Sequence, residues 1–208
     1  MRLFLLTILL LLLAACSSSP RFTPLPAGTP VLAFGDSVTY GAGAGPGEDY
    51  PSRLAAHTGW VITNAGISGD TAFEAKSRIR ETLEQTHPAV VLVELGGNDF
   101  LRRRSDSAIK EDLRFILSAV RQAGAVPVLV SVPRFSVLGV AVGALPDSEI
   151  YAELAKEEKV PLVKRVFADV LSDPALKSDQ IHPNAEGYRK LAEGVSKALV
   201  KEGLLARQ

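Results

Sequence analysis

The chain predicts a three-layer α/β/α sandwich built on a central, mostly parallel sheet. Two observations carry that prediction. Short runs rich in β-branched residues, apolar on both faces, recur along the sequence as strands buried between two helical layers require. Between them lie longer stretches whose apolar positions repeat at helical spacing, the alternation expected of a parallel sheet with crossover helices.

The first strand is read at Val31 to Phe34, the second at Val61 to Thr63, the third at Ala89 to Leu95 and the fourth at Val126 to Val132. Helical spacing marks Tyr50 to Thr58, Thr71 to Thr86 and Ser107 to Ala123, and the last of these stops at Gly124, a residue suited to a helix C-terminus. Asp147 to Lys159 and a short apolar Pro161 to Val163 follow the fourth strand. Asn184 to Glu202 is then a long amphipathic helix with Leu191, Val195, Ala198 and Leu199 on one face. No repeat is visible, and residues 31–208 read as one domain. Right-handed crossovers would put all strand C-terminal ends on one edge, where ligands bind near a switch in strand order.

The N-terminus has the pattern of an export signal. Arg2 is followed by an apolar run from Leu3 to Leu13, broken only by Thr7, and then by Ala14-Ala15-Cys16. That run is too short to span a bilayer, which takes roughly 20 residues. Leu13-Ala14-Ala15-Cys16 resembles a bacterial lipobox, so residues 1–15 read as a lipoprotein signal peptide and Cys16 as the acylated anchor. The alternative is an ordinary secreted chain cut after Ala15. With Ser17 behind the anchor, the expected location is the cell envelope, on the periplasmic side of the outer membrane where the source has one. Residues 16–30, rich in Ser and Pro, read as a tether.

Composition excludes several classes. Without residues 1–15 the 23 Lys and Arg fall by one, Arg2, to 22, against 23 Asp and Glu, a balance that argues against a nucleic-acid partner. Cys16 is the only cysteine, so an internal disulfide, a thiol nucleophile and a cysteine metal site are all excluded. Gly41 to Pro46 lacks the glycine spacing of a dinucleotide fold, and there is no Gly-Lys-Ser/Thr phosphate loop. No cofactor or metal is implied.

Four short segments carry chemistry: Gly35-Asp36-Ser37, Ser68-Gly69-Asp70, Gly96-Gly97-Asn98-Asp99 and Asp179-Gln180-Ile181-His182. The first three follow predicted strands directly and so fall on one sheet edge. Taken alone, a Ser after a strand such as Ser37 is more often a helix cap. Its weak hydroxyl needs a neighbouring base to become a nucleophile. Among the three histidines, His57 falls on a predicted surface helix and His87 at the entry to the third strand, on the opposite edge. His182 alone combines a carboxylate three residues earlier with a place on a loop before a helix, and one turn would return Asp179 to its ring, fixing the tautomer. An isolated Asp-x-x-His reads as a loop histidine before a helix; paired with Ser37 it reads as the rest of a triad. Three donors are then available to a tetrahedral oxyanion: the N–H of Ser37, the N–H of Gly69 and the side-chain amide of Asn98. Taken singly, the Gly69 and Asn98 segments also read as plain turns.

At these residues the sequence resembles the SGNH, or GDSL-type, hydrolases, across nearly all of residues 31–200. More closely, Val31 to Gly41, Asn64 to Thr71 and Val91 to Asp99 resemble the bacterial arylesterase, acyl-CoA thioesterase and lysophospholipase branch. The resemblance implies a flavodoxin-like fold and a serine esterase working through an acyl-enzyme. It places the nucleophile at Ser37, oxyanion donors at Ser37, Gly69 and Asn98, and the remaining triad at Asp179 and His182. The implied substrate is a small-molecule acyl ester or thioester, such as an aryl ester or lysophospholipid. A deacetylase of envelope glycans and a non-catalytic, membrane-tethered binding lipoprotein are the alternatives.

Two features depart from the branch. Val38 stands where a leucine often follows the nucleophile, and Val137 to Leu145 is apolar where a more polar loop is expected. Phe135, Val137, Leu138, Val140, Val142 and Leu145 follow the fourth strand's C-terminal end, so they read as lining an acyl pocket or as an ordinary buried loop. Arg102-Arg103-Arg104 reads as a solvated helix start or as a contact for lipid phosphates.

Overall fold

Five parallel strands form the sheet in the computed structural model, which describes residues 22–134 and 145–207. They are β1 (Pro30–Gly35), β2 (Val61–Gly66), β3 (Val90–Glu94), β4 (Val126–Val130) and β5 (Leu162–Val163), in the order β2-β1-β3-β4-β5. β1 lies between β2 and β3: Leu32 pairs with Thr63 on one side and with Val91 on the other. Chain order runs outward in opposite directions from β1 and β3, so the cleft between their C-terminal ends is the switch point where an open α/β sheet binds ligands.

The helices are α1 (Ser37–Tyr40), α2 (Tyr50–Thr58), α3 (Ala72–Ala75), α4 (Ile79–Thr86), α5 (Gly97–Leu101), α6 (Asp106–Gln122), α7 (Glu149–Glu158), α8 (Val166–Ser172) and α9 (Ala185–Glu202). α9 packs against α2 and α8, while α6 packs against α4 and α7, which makes the two outer layers. Caps set their ends. Asp49 accepts the Ser52 N–H before α2, Ser105 accepts that of Ala108 before α6, and Asn184 accepts that of Gly187 before α9. β1, β3 and β4 are almost wholly buried, and Leu32, Phe34, Leu92 and Leu129 are fully so.

The structure departs from the sequence reading at several places. The stretch Thr71 to Thr86 is two helices, because the chain turns at residues 76–78 to aim Arg78 at the sheet edge. β2 is an edge strand with a partly exposed face, not a buried one. The segment expected as a free tether is docked before β1 begins: Phe22 packs against the core and Leu25 donates its N–H to Leu204 O at 3.0 Å. The three arginines follow α5 and do not start a helix. Arg102 pairs with Glu74, and Arg104 with the buried Asp99 and Asp112. Cys16 and the residues before it, and Phe135, Val137, Leu138, Val140 and Val142, lie outside the described residues. Leu145 is described; it is buried in the core, and its N–H donates to Ser172 Oγ. No helix among the described residues is long and apolar enough to cross a membrane.

Candidate active site

Ser37 is the first residue of α1, immediately beyond β1. Asp36 caps this short helix, its Oδ1 accepting the Val38 N–H at 3.0 Å. Gly35 is needed at the bend for space. A Cβ there would stand 2.0 Å from Thr39 Oγ1 and 2.5 Å from the Glu94 carbonyl oxygen.

His182 reaches Ser37 from the loop before α9. In the turn Asp179 to His182, Asp179 Oδ1 accepts the N–H groups of Ile181 and His182, both at 2.8 Å, while Oδ2 lies 2.7 Å from His182 Nδ1. His182 Nε2 then stands 2.9 Å from Ser37 Oγ. Burial opposes the Asp179 charge, but the bonds from the His182 ring and from the two backbone N–H groups outweigh it and hold this carboxyl below its usual range. An ionised Asp179 fixes the Nδ1–H tautomer, which leaves Nε2 free to take a proton from the hydroxyl.

The glycine run 41–47 sets the loop after α1 against the histidine loop. Gly43 has a φ of 92°, and a Cβ there would meet Ser178 Oγ at 2.1 Å and the Pro183 carbonyl at 2.7 Å. Ser178 in turn donates its N–H to His182 O at 3.0 Å, closing the histidine loop on itself, and the Tyr188 hydroxyl on α9 donates to Ala42 O at 2.8 Å.

The other side of the site is built from the loops after β2 and β3. Gly69 takes a φ of 88°, in the left-handed region that favours glycine, with no heavy atom within 4 Å of where a Cβ would be. The Asn98 amide donates to Asp36 Oδ2 at 3.1 Å and to the Asp70 carbonyl at 2.9 Å. The loop between them is gripped from several directions. Arg102 donates to Gly69 O at 3.0 Å, and Asp99 Oδ2 accepts the Ala72 N–H at 2.8 Å. Arg78 donates Nε–H to Asp70 Oδ2 at 2.8 Å, and its other two nitrogens donate to Ala65 O and Gly35 O, each at 2.9 Å. The same guanidinium lies 4.1 Å from the Phe34 ring centroid. One side chain thus ties the ends of β1 and β2 to the turn that follows Gly69.

Two acids lie beneath the nucleophile. Glu94, fully buried at the end of β3, accepts from Thr39 Oγ1 at 2.9 Å, while its Oε1 has no partner. Burial, then the neighbouring Asp36 charge, pushes the Glu94 carboxyl well above its ordinary range. Burial also raises Asp36, against the Val38 N–H and the nearby His182, to about 7. A small cavity of about 20 Å³ touches Ser37, Asp36, Glu94, Asn98, Val132 and Phe167. The wider groove of about 500 Å³ between α2 and α9, beside Arg53, His57 and Arg189, shares no residue with this site.

The structure therefore brings Ser37, His182 and Asp179 into one hydrogen-bonded line. Gly69, in the loop after β2, and Asn98, in the first turn of α5, stand beside it. His57 lies on α2, and His87 caps the C-terminus of α4, before the entry to β3. Sequence reading missed Glu94 and Arg78, and marked Arg102 only within the arginine triplet, not as a partner of Gly69. The signal for Glu94 was visible, a lone acid inside the apolar run Val90 to Leu95, whereas nothing local marks Arg78. No group of three or more His, Cys, Asp or Glu among the described residues is arranged to hold a metal ion.

An open parallel sheet with a Ser–His–Asp line at its switch point defines a serine hydrolase. The chain belongs to the GDSL-like Lipase/Acylhydrolase family, whose model matches residues 33–190, and it is a carboxylic ester hydrolase. It is 34% identical over 174 residues to Thioesterase 1/protease 1/lysophospholipase L1 of Escherichia coli (strain K12), covering 81% of this chain and 82% of that one. It is 30% identical over 177 residues to an arylesterase of Vibrio mimicus, covering 82% and 88% of the two chains. Among solved structures, AlinE4, an SGNH-hydrolase family esterase, superposes with a TM-score of 0.64 at 31% identity, over 85% of this chain and 97% of that one.

Proposed function

We propose that Ser37 is the nucleophile of a lipid-anchored esterase acting on small acyl esters and thioesters. His182 takes the hydroxyl proton as Ser37 Oγ bonds to the acyl carbon, and the carbonyl electrons move onto oxygen. The N–H groups of Ser37 and Gly69 and the Asn98 amide receive that oxyanion. Collapse expels the alcohol or thiol, which takes the proton from His182, and leaves Ser37 acylated. Water, deprotonated by His182, then releases the carboxylic acid and restores the hydroxyl.

The observation that supports this reading is the line from Asp179 Oδ2 to His182 Nδ1 at 2.7 Å and from Nε2 to Ser37 Oγ at 2.9 Å. Relatives named thioesterase, lysophospholipase and arylesterase support acyl groups on sulfur and on oxygen leaving groups alike. A fluorophosphonate probe should label Ser37 and leave Ser37→Ala untouched, with turnover of p-nitrophenyl butyrate and of an acyl thioester lost together. Comparable turnover in that variant overturns the assignment.

The anchor is Cys16, acylated after cleavage behind Ala15, which would hold the enzyme on the periplasmic side of the envelope. Each buried methylene adds about 0.8 kcal/mol of membrane affinity, so two or three chains hold firmly. The mass of the mature N-terminal peptide tests it.

A further inference from the structure

The docking of the N-terminal segment fixes where an anchor would leave the domain. Leu25 bonds to Leu204, just past the end of α9, and Gly28 donates to Gly59 O at 2.8 Å, just before β2. Pro30 O accepts the Ala89 N–H at 2.8 Å, just before β3. All three contacts lie where strands enter the sheet. Ser37, Gly69 and Asn98 follow the opposite strand ends, and His182 precedes the opposite end of α9. The anchor and the site therefore occupy opposite poles.

Two lengths limit how far the domain can turn about its anchor. α9 has 18 residues, and at 1.5 Å per residue it alone separates the poles by about 27 Å. Phe22 and Leu25 pack against the core, so only six links join the docked chain to Cys16. Fully extended they span roughly 20 Å. Turning the mouth onto the anchoring bilayer would need a tether that runs up the whole side of the domain, and six links fall short. The domain can tip onto its helices, but it cannot invert.

We propose that the catalytic mouth faces away from the bilayer that holds Cys16, so that the substrate is an ester arriving through the aqueous phase and not a lipid packed in that bilayer. The inference rests on the anchoring and hydrolase readings. Tyr40, Ile67 and Leu101, exposed near the mouth, then meet the acyl or aryl group of the arriving ester.

The test uses the full-length lipidated protein in vesicles beside its Cys16→Ser form free in solution. On p-nitrophenyl butyrate the two should turn over within about twofold of each other. A fluorogenic ester borne on a two-chain phospholipid is then placed in the same vesicles. The anchored form should cleave it no faster than the soluble form at equal bulk concentration. Inserting about thirty Gly and Ser residues between Ser19 and Pro20 lets the mouth reach the surface, and should raise that rate about tenfold or more through effective concentration. A native anchored form that already outpaces the soluble form tenfold on the vesicle-borne ester overturns this inference alone. An unacylated Cys16 in the mature peptide overturns the anchoring reading and this inference with it, while loss of butyrate turnover in both forms overturns the hydrolase reading.

Discussion

Asn98 gives one amide hydrogen to Asp36 Oδ2 at 3.1 Å and the other to the Asp70 carbonyl at 2.9 Å, so the amide proposed to receive the oxyanion is aimed by two acceptors before substrate arrives. The longer bond, to Asp36, is the one an oxyanion would displace. That exchange happens only as charge develops, which places its benefit in the transition state. Asn98→Ala should therefore lower kcat by about 10²- to 10³-fold with little change in KM. Steady-state kinetics on p-nitrophenyl butyrate decide it. A loss confined to KM would make Asn98 a binding group and nothing more.

Asp179 is more than half exposed, at 54% of its side chain, so its worth to folding is small. Its worth to the site is orientation: one carboxylate holds the His182 ring and two N–H groups of the same turn. Asp179→Asn keeps the size but removes the charge that stabilises the imidazolium. The expected result is a kcat lower by about 10²- to 10⁴-fold with a thermal midpoint close to the parent's. Calorimetry beside kinetics separates the two effects, and a large drop in the midpoint would assign Asp179 a structural role instead.

Much of this arrangement was legible in the sequence, for physical reasons that particular residues illustrate. Val31 to Phe34 and Val90 to Val93 are apolar on both faces because helices cover both sides of β1 and β3, so periodicity alone identified them. Ser37 was paired with His182 because, of the three histidines, only His182 combines a carboxylate three residues earlier with a place on a loop before a helix. What was illegible depends on tertiary contacts. α8 begins at Val166 after Arg165, which makes no side-chain cap bond, so no local signal announced it. The helix read through Thr71 to Thr86 breaks at residues 76–78, where Ser77 and Arg78 bond to carbonyls three residues back and the Arg78 side chain meets Asp70, Ala65 and Gly35, tertiary partners that no local propensity encodes.

Arg78 makes the most consequential of those contacts. Gln in its place leaves the Asp70 carboxylate, the Gly35 carbonyl and the Ala65 carbonyl short of donors in a region where the Arg78–Asp70 pair is only 18% and 14% exposed. Unsatisfied buried groups cost about 1–3 kcal/mol each, so Arg78→Gln should destabilise by roughly 3–5 kcal/mol. Arg78→Lys retains the charge without the planar fork. It should recover part of the stability while kcat stays low, because the Gly69 turn is no longer tied to both strand ends. Urea unfolding and kcat measured on both variants test this. Full recovery of kcat by lysine would show that charge alone suffices.

The buried acids predict an unusual pH dependence. Asp36 is raised from 3.8 to about 7 and Glu94 well above 4.5, in both cases chiefly because burial penalises the charged form. Neighbouring carboxylates add to the rise, Asp36 for Glu94 and Asp99 with Asp70 for Asp36. Groups raised in this way keep protons in the folded chain that the unfolded chain has already released. Their contribution is therefore fully present below about pH 4, where both states are protonated, and is lost as pH rises through about 7 and beyond. Each tenfold difference in proton affinity is worth about 1.4 kcal/mol, so the pair outweighs most surface charges in setting the slope. Glu94→Gln keeps an acceptor for the Thr39 hydroxyl but cannot ionise. Urea unfolding at pH about 5, 6, 7 and 8 should show the parent losing stability steadily across the series and the variant losing clearly less. Parallel slopes for the two proteins would mean that Glu94 does not titrate differently in the folded chain, and the neutral acid beneath Ser37 would have to be abandoned.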